Sequence, residues 1–93
     1  MNQVLPFGDD ESNKAVQISC GDSFTLVLDE TGKIWSFGKG THGRLGHGND
    51  KNIEEPKVIE KLNKVVQISA GCWHSAAVTE DDQLYTWGFN FYE

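Results

Sequence analysis

The glycine-rich stretch over residues 36–50, SFGKGTHGRLGHGND, is the segment whose residue types most invite a chemical interpretation. Within it, Gly38, Gly40 and Gly43 follow the spacing G-x-G-x-x-G, which in dinucleotide-binding proteins lets the backbone approach a pyrophosphate. That site also needs a helix directly after the glycines, and RLGHGND is too rich in glycine to begin a stable one. Lys39 is misplaced for a phosphate-binding loop, which needs G-K-[ST] after four intervening residues. We therefore interpret the stretch as a connection between strands and expect no nucleotide or other cofactor.

Two other groups of side chains have the chemistry of catalytic or metal sites. Residues 21–23, Gly-Asp-Ser, are similar to the G-D-S block of a group of lipid-cleaving hydrolases, but no positioned His and Asp partners can be argued for the serine. Cys72 and the three histidines, His42, His47 and His74, are metal-ligand types without the paired spacings of zinc sites. The sequence therefore predicts no catalytic residue and no metal site.

Composition limits the class of protein. Fourteen acidic residues against eight basic ones give a net charge of −6, which disfavours a nucleic-acid partner. No apolar run approaches the roughly 20 residues that span a bilayer, and no secretory signal is visible, so no membrane partner is expected. The two cysteines form no C-x-x-C pair, which favours reduced thiols in a cytoplasmic or nuclear protein.

The sequence contains an internal repeat. The string VQISCG at residues 16–21 recurs 50 positions later as VQISAG at residues 66–71. The offset persists without a gap, so that Trp35 matches Tyr85, Phe37 matches Trp87 and Pro6 matches Pro56. A fixed period of this length is typical of propellers and other repeat architectures.

Each repeat predicts short β-strands. Apolar and polar residues alternate at 16–19, and β-forming residues recur at 24–28 and 33–37, with counterparts at 66–69, 74–79 and 83–87. Residues 56–60 predict an outer strand, because proline cannot donate a hydrogen bond inside a central ladder. Gly32 and Asp82 share one hairpin position, which predicts a positive φ at both. Acidic residues 9–11 and 80–82 are expected to form solvated turns.

The predicted third strand also indicates the architecture. Trp35 and Phe37 should face one side of the sheet, and Ile34 and Ser36 the other, which suits a sheet covered on both faces. Four-stranded antiparallel sheets repeated every 50 residues and stacked face to face describe an all-β fold, a β-propeller, with each sheet as a blade.

The repeat resembles that of the regulator of chromosome condensation family. The matching residues are Val66, Ile68, Gly71, His74, Ser75, Leu84, Tyr85, Trp87 and Gly88, with Gly43, Gly46, Gly48 and Pro56 in the linking part. The resemblance implies a seven-bladed propeller, which needs on the order of 350 residues. We therefore expect a fragment of about two blades, with a first repeat over residues 1–55 whose N-terminal part is degenerate and a truncated second repeat over 56–93.

The resulting functional hypothesis is a non-enzymatic protein–protein interaction module. The alternatives that the family implies are guanine-nucleotide exchange on a small GTPase, or a place in the propeller of a HECT-type ubiquitin ligase that binds ubiquitination substrates. Candidate partner contacts are Trp73, Lys39, His42 and Arg44, although packing against the adjacent blade is the favoured interpretation for Trp73. Residues assigned to the structure of the repeat are Gly21, Gly38, Gly43, Gly46, Gly48, Gly71, His74, Trp87 and Gly88. Uncovered blade flanks predict self-association.

Overall fold

The computed structural model describes residues 14–88, which form seven β-strands and one short 3-10 helix. The strands are β1 (Ala15–Cys20), β2 (Phe24–Asp29), β3 (Ile34–Gly38), β4 (Ile53–Val58), β5 (Val65–Ala70), β6 (His74–Thr79) and β7 (Leu84–Gly88). The 3-10 helix covers Thr41–Gly43. The predictions made for Pro6 and for residues 9–11 lie outside the described residues.

The strands form two antiparallel sheets, one with the order β1-β2-β3-β4 and one with the order β5-β6-β7. This confirms the prediction of an all-β fold built from propeller blades. β4 lies at the outer edge of the first sheet, as expected for a strand that contains Pro56, but it begins at Ile53. The predicted division between the repeats, after residue 55, therefore falls inside β4, and the first sheet extends beyond it.

The two sheets repeat each other in detail. Leu26 pairs with Ser36, and 50 positions later Ala76 pairs with Thr86. Both sheets have a register irregularity at the same place, after the first residue of β1 and of β5. The hairpin positions Gly32 and Asp82 have φ of 88° and 67°, which confirms the predicted left-handed conformation.

The core lies between the two sheets. Ile34 and Ser36 are fully buried on the face of β3 that meets the second sheet, whereas Trp35 and Phe37 are half-buried on the other face, as predicted. Buried apolar residues from both sheets and from their connections form the core cluster: Phe24, Leu26, Leu28, Ile34, Leu45, Ile59, Leu62, Val65, Ile68 and Ala77. Among residues 14–88 there is no helix long and apolar enough to cross a membrane.

Candidate protein-binding site

Three connections meet at one end of the two sheets. They are residues 21–23 between β1 and β2, residues 39–52 between β3 and β4, and residues 71–73 between β5 and β6. The backbone joins them, because the Asp22 amide donates to the Cys72 carbonyl at 3.1 Å and the Lys39 amide donates to the Ser23 carbonyl at 2.8 Å. We call these three segments the loop end.

The loop end brings two aromatic side chains together. Trp73 is half-buried, and its indole Nε1 donates to the Asp22 carboxylate at 3.2 Å. The exposed imidazole of His42 lies tilted beside it, with 6.2 Å between ring centroids. Lys39 is exposed on the same connection as His42. Three of the four predicted partner contacts are therefore at least partly exposed at the loop end, and their role in binding stays a prediction.

Arg44, the fourth predicted contact, is only 3% exposed. Its Nη1 donates to the Asp22 carbonyl at 2.8 Å, and its Nε donates to the Thr41 carbonyl at 2.9 Å. The guanidinium also lies 5.6 Å from the centre of the Phe24 ring, within cation–π range. The structure thus corrects the interpretation of Arg44 as a surface contact. A buried guanidinium needs its hydrogen bonds supplied from within, and these bonds hold two connections of the loop end in place.

Arg44 and Leu45 insert between the two sheets. The Arg44 carbonyl accepts hydrogen bonds from Ser75 Oγ at 3.0 Å and from Trp87 Nε1 at 3.1 Å. Leu45 is 1% exposed, and its carbonyl accepts a hydrogen bond from Ser36 Oγ at 2.7 Å. Both buried serines therefore receive a partner from this connection, which links the first sheet to the second.

At two positions of the loop end, an aromatic ring lies so close to the backbone that only glycine fits. A Cβ at Gly21 would lie 2.1 Å from Cε1 of Phe24, and a Cβ at Gly71 would lie 2.7 Å from Cε1 of His74. In each repeat the ring three residues later therefore lies directly over the glycine. His74 is exposed at the start of β6, where its ring replaces that of Phe24. The remaining glycines assigned to the repeat, Gly38, Gly43, Gly46, Gly48 and Gly88, all have positive φ.

The glycine-rich segment does not have the geometry of a nucleotide site. It leads from β3 into the single turn Thr41–Gly43, with no α-helix whose N-terminus could face a phosphate. Within residues 14–88, no three His, Cys, Asp or Glu side chains are grouped as metal ligands would be. Ser23 of the G-D-S string lies in a turn with φ of 65°.

Ser36 and His47 form a pair that superficially has the composition of a nucleophile and its base. Their Oγ and Nε2 atoms are 2.9 Å apart. However, the Ser36 hydroxyl already donates its proton to Leu45, so it must accept from Nε2 of His47. Burial, and secondarily the positive charge of Lys57, lowers the pKa of His47, which favours the neutral imidazole. The pair is therefore structural, and the serine is not activated.

A groove of about 490 Å³ lies beside the outer edge of β7. Its apolar wall consists of Tyr85, Trp87, Ile59 and Leu62, and the β3–β4 connection forms its other side. In the first sheet, the corresponding edge of β3 is covered by β4. Within residues 14–88, no strand covers this edge of β7.

Of the residues that build the loop end, sequence reasoning missed Asp22 and Leu45. The second repeat has Cys72 at the position equivalent to Asp22, so comparison of the two repeats did not mark Asp22 as a functional residue. Leu45 is an isolated apolar residue between glycines, and this isolation was the one available indication that it packs inside.

Comparison with known proteins gives consistent results. The family described as "Regulator of chromosome condensation (RCC1) repeat" matches residues 31–78. A second family of the same description matches residues 15–44 and 65–93. These two matches cover both sheets and the connection between them.

Among curated relatives, the E3 ubiquitin-protein ligase HERC2 of Homo sapiens is 45% identical over 76 residues, which are 80% of this chain and 2% of HERC2. Among solved structures, human WBSCR16 superimposes with a TM-score of 0.81 at 28% identity, covering 91% of this chain and 22% of that one. Prp20p from Saccharomyces cerevisiae, described with its binding to Gsp1p and histones, gives 0.78 at 29% identity, covering 92% and 20%. The chain thus spans a small part of each of these proteins.

Proposed function

Because the chain belongs to the regulator of chromosome condensation (RCC1) repeat family, we propose that it is a protein-interaction module that binds its partner through the loop end. The observation that carries the proposal is the meeting of Trp73, His42 and Asp22 from three separate connections. A tryptophan beside a second ring and a charged group is the composition of an interaction hot spot.

The surface is held rigidly, which favours specific binding. Arg44 fixes the connections beneath it through two hydrogen bonds, and Leu45 inserts between the sheets below. Since little conformational entropy remains to be lost there, more of the contact energy is available for affinity. Lys39 adds an exposed positive charge next to the aromatic pair.

We propose no catalytic step at this surface. The serine that lies beside a histidine, Ser36, is fully buried and donates its proton to the Leu45 carbonyl. A partner protein is the class of ligand that the relatives also favour, because Prp20p is described as binding Gsp1p and histones. Two alternative roles remain for this binding. The chain would either promote guanine-nucleotide exchange on a bound small GTPase or capture a ubiquitination substrate.

Site-specific photo-crosslinking tests the proposal. A benzophenone amino acid at position 42, in the loop end, is compared with one at Asn63, an exposed residue of the β4–β5 connection at the opposite end. We expect the probe at position 42 to form defined protein adducts, and the substitution Trp73→Ala to reduce their yield at least tenfold. The probe at position 63 should form none of the same adducts. Equal adducts from both positions, or adducts insensitive to Trp73→Ala, would overturn the loop end as the binding site.

Nucleotide release from purified Gsp1p separates the rival roles. We expect the chain to leave the release rate of fluorescent GDP unchanged, since the longest described connection, residues 39–52, is anchored between the sheets by buried Arg44 and Leu45. Acceleration by the chain, lost in Trp73→Ala, would establish exchange and refute a purely docking role.

A further inference from the structure

The outward face of the second sheet is exposed although its counterpart in the first sheet is buried. Leu84 is 66% exposed, whereas Ile34, 50 positions earlier, is 0% exposed because it faces the second sheet. Thr86 is likewise exposed, and its counterpart Ser36 is fully buried. We call this outward face the trailing flank; it comprises Gln67, Ser69, Ala76, Val78, Leu84 and Thr86.

The opposite face of the first sheet shows the reciprocal exposure. Ile18 is 61% exposed, whereas its counterpart Ile68 is 3% exposed against the first sheet. Cys20 is also exposed, and its counterpart Ala70 packs against the core. We call this face the leading flank; its residues, of which Val27 is buried and the others are at least partly exposed, are Ile18, Cys20, Thr25, Val27, Trp35 and Phe37.

The contact between the two sheets within the chain shows how such flanks join. The Gln17 side chain pairs with the backbone of Ile68, since its Nε2 donates to the carbonyl at 3.0 Å and its Oε1 accepts from the amide at 3.1 Å. Ser19 Oγ accepts from the Ala70 amide at 2.9 Å. Polar side chains of β1 thus satisfy the free backbone groups of β5, while apolar side chains pack beside them.

The two exposed flanks carry the same complementary groups. Gln67 and Ser69 on the trailing flank stand where Gln17 and Ser19 stand in the internal contact, and both are exposed. Ile18 has the register in β1 that Ile68 has in β5, so its backbone N–H and C=O also point away from the neighbouring strand. The chain therefore presents, on opposite sides, both halves of a contact that it already makes once.

We propose that a second copy of this chain docks head to tail, with its leading flank on the trailing flank of the first. In this arrangement Gln67 pairs with the Ile18 backbone of the next copy, and Leu84 packs against the Ile18 side chain. The contact is heterologous, because it joins two different surfaces, so further copies can add at both ends. If the rotation between successive copies closes, the assembly is a ring, and otherwise it is a filament. The arrangement does not depend on the proposed function.

Sedimentation velocity of the full chain from about 5 to 200 µM tests the proposal, using Ile18→Glu and Leu84→Glu. Each substitution places a charge on one flank at a residue that is more than half exposed, so the fold is retained. Asn63→Glu adds the same charge at an exposed site outside both flanks and serves as the control. We expect the wild type and the control to associate with rising concentration, and each flank variant to associate at least tenfold more weakly.

Mixing the two flank variants gives the sharper test. Ile18→Glu retains an intact trailing flank and Leu84→Glu an intact leading flank, so an equimolar mixture is expected to form a 1:1 dimer and no larger species. A wild type that stays monomeric at 200 µM would overturn the proposal. So would a mixture that remains monomeric, or flank variants that associate as strongly as the control.

Discussion

Replacing Arg44 with alanine tests whether this residue supports the fold or contacts a partner. The guanidinium donates two hydrogen bonds to backbone carbonyls, at 2.8 and 2.9 Å, and stacks on Phe24 while 97% hidden from solvent. Hydrogen bonds that involve a charged group contribute about 1.5–3 kcal/mol each, and a cation–π contact about 0.5–2 kcal/mol. Allowing for partial relaxation, we expect Arg44→Ala to lower the free energy of unfolding by about 3–5 kcal/mol.

Urea unfolding followed by tryptophan fluorescence measures this loss, at one fixed protein concentration. Arg44→Lys should recover part of it, because lysine keeps the charge but cannot donate in the forked geometry of a guanidinium. Lys39→Ala removes a positive charge from an exposed position of the same connection and should change the free energy of unfolding by less than about 0.5 kcal/mol.

The opposite pattern would refute the structural role. If Arg44→Ala unfolds at the wild-type urea midpoint but abolishes crosslinking from position 42, then Arg44 contacts the partner directly. The sequence interpretation would then be correct, and the hydrogen bonds to Asp22 and Thr41 would contribute little to the stability of the folded state.

Three further expectations concern the core and the turns. Leu45→Ala should cost about 2–5 kcal/mol in urea unfolding, because it empties a buried site between the sheets. Gly21→Ala should lower the melting temperature more than Gly48→Ala, because a Cβ at position 21 would lie 2.1 Å from the Phe24 ring. A Cβ at position 48 would meet nothing within 4 Å, so that alanine bears only the strain of a φ of 80°. Equal losses in melting temperature would contradict this reasoning. Burial raises the pKa of Asp29, but hydrogen bonds from Thr31, Trp35 and two backbone amides outweigh it, so the pKa lies below its ordinary value of 3.8. Stability from Asp29 is therefore present above pH 3.8 and lost as the pH falls through the lowered pKa, and urea midpoints across this range should fall less steeply in Asp29→Asn.

The strands and their pairing could be predicted because the strand sequences occur twice in the chain. Residues 16–21 and 66–71 are nearly identical strings, and the same strand occurs at both places. The hairpin residue at Gly32 could be recognised because Asp82 in the other copy tolerates the same conformation. An internal repeat thus acts as a small alignment, in which substitutions reveal the physical requirement of each position.

The burial of the β3–β4 connection could not be predicted in the same way. The second copy of this connection would follow Gly88, so the chain offers no described counterpart for Arg44 or Leu45. A charged residue among glycines has the local composition of a solvated loop, and its burial depends on carbonyl groups supplied by Asp22 and Thr41. The contact between Asp22 and Trp73 could not be predicted either, because it forms only across the two sheets.

The chemistry of the two outer edges has a consequence for aggregation. β4 has the exposed charges Glu54, Glu55 and Lys57 around Pro56, and these features discourage another strand from adding to an edge. β7, with the sequence LYTWG, has no charge, and within residues 14–88 no strand covers its outer edge. Of these two edges, β7 rather than β4 should therefore support growth of a cross-β aggregate. A lysine in place of Thr86, which is exposed in the middle of this strand, would give that edge the charge that β4 already has.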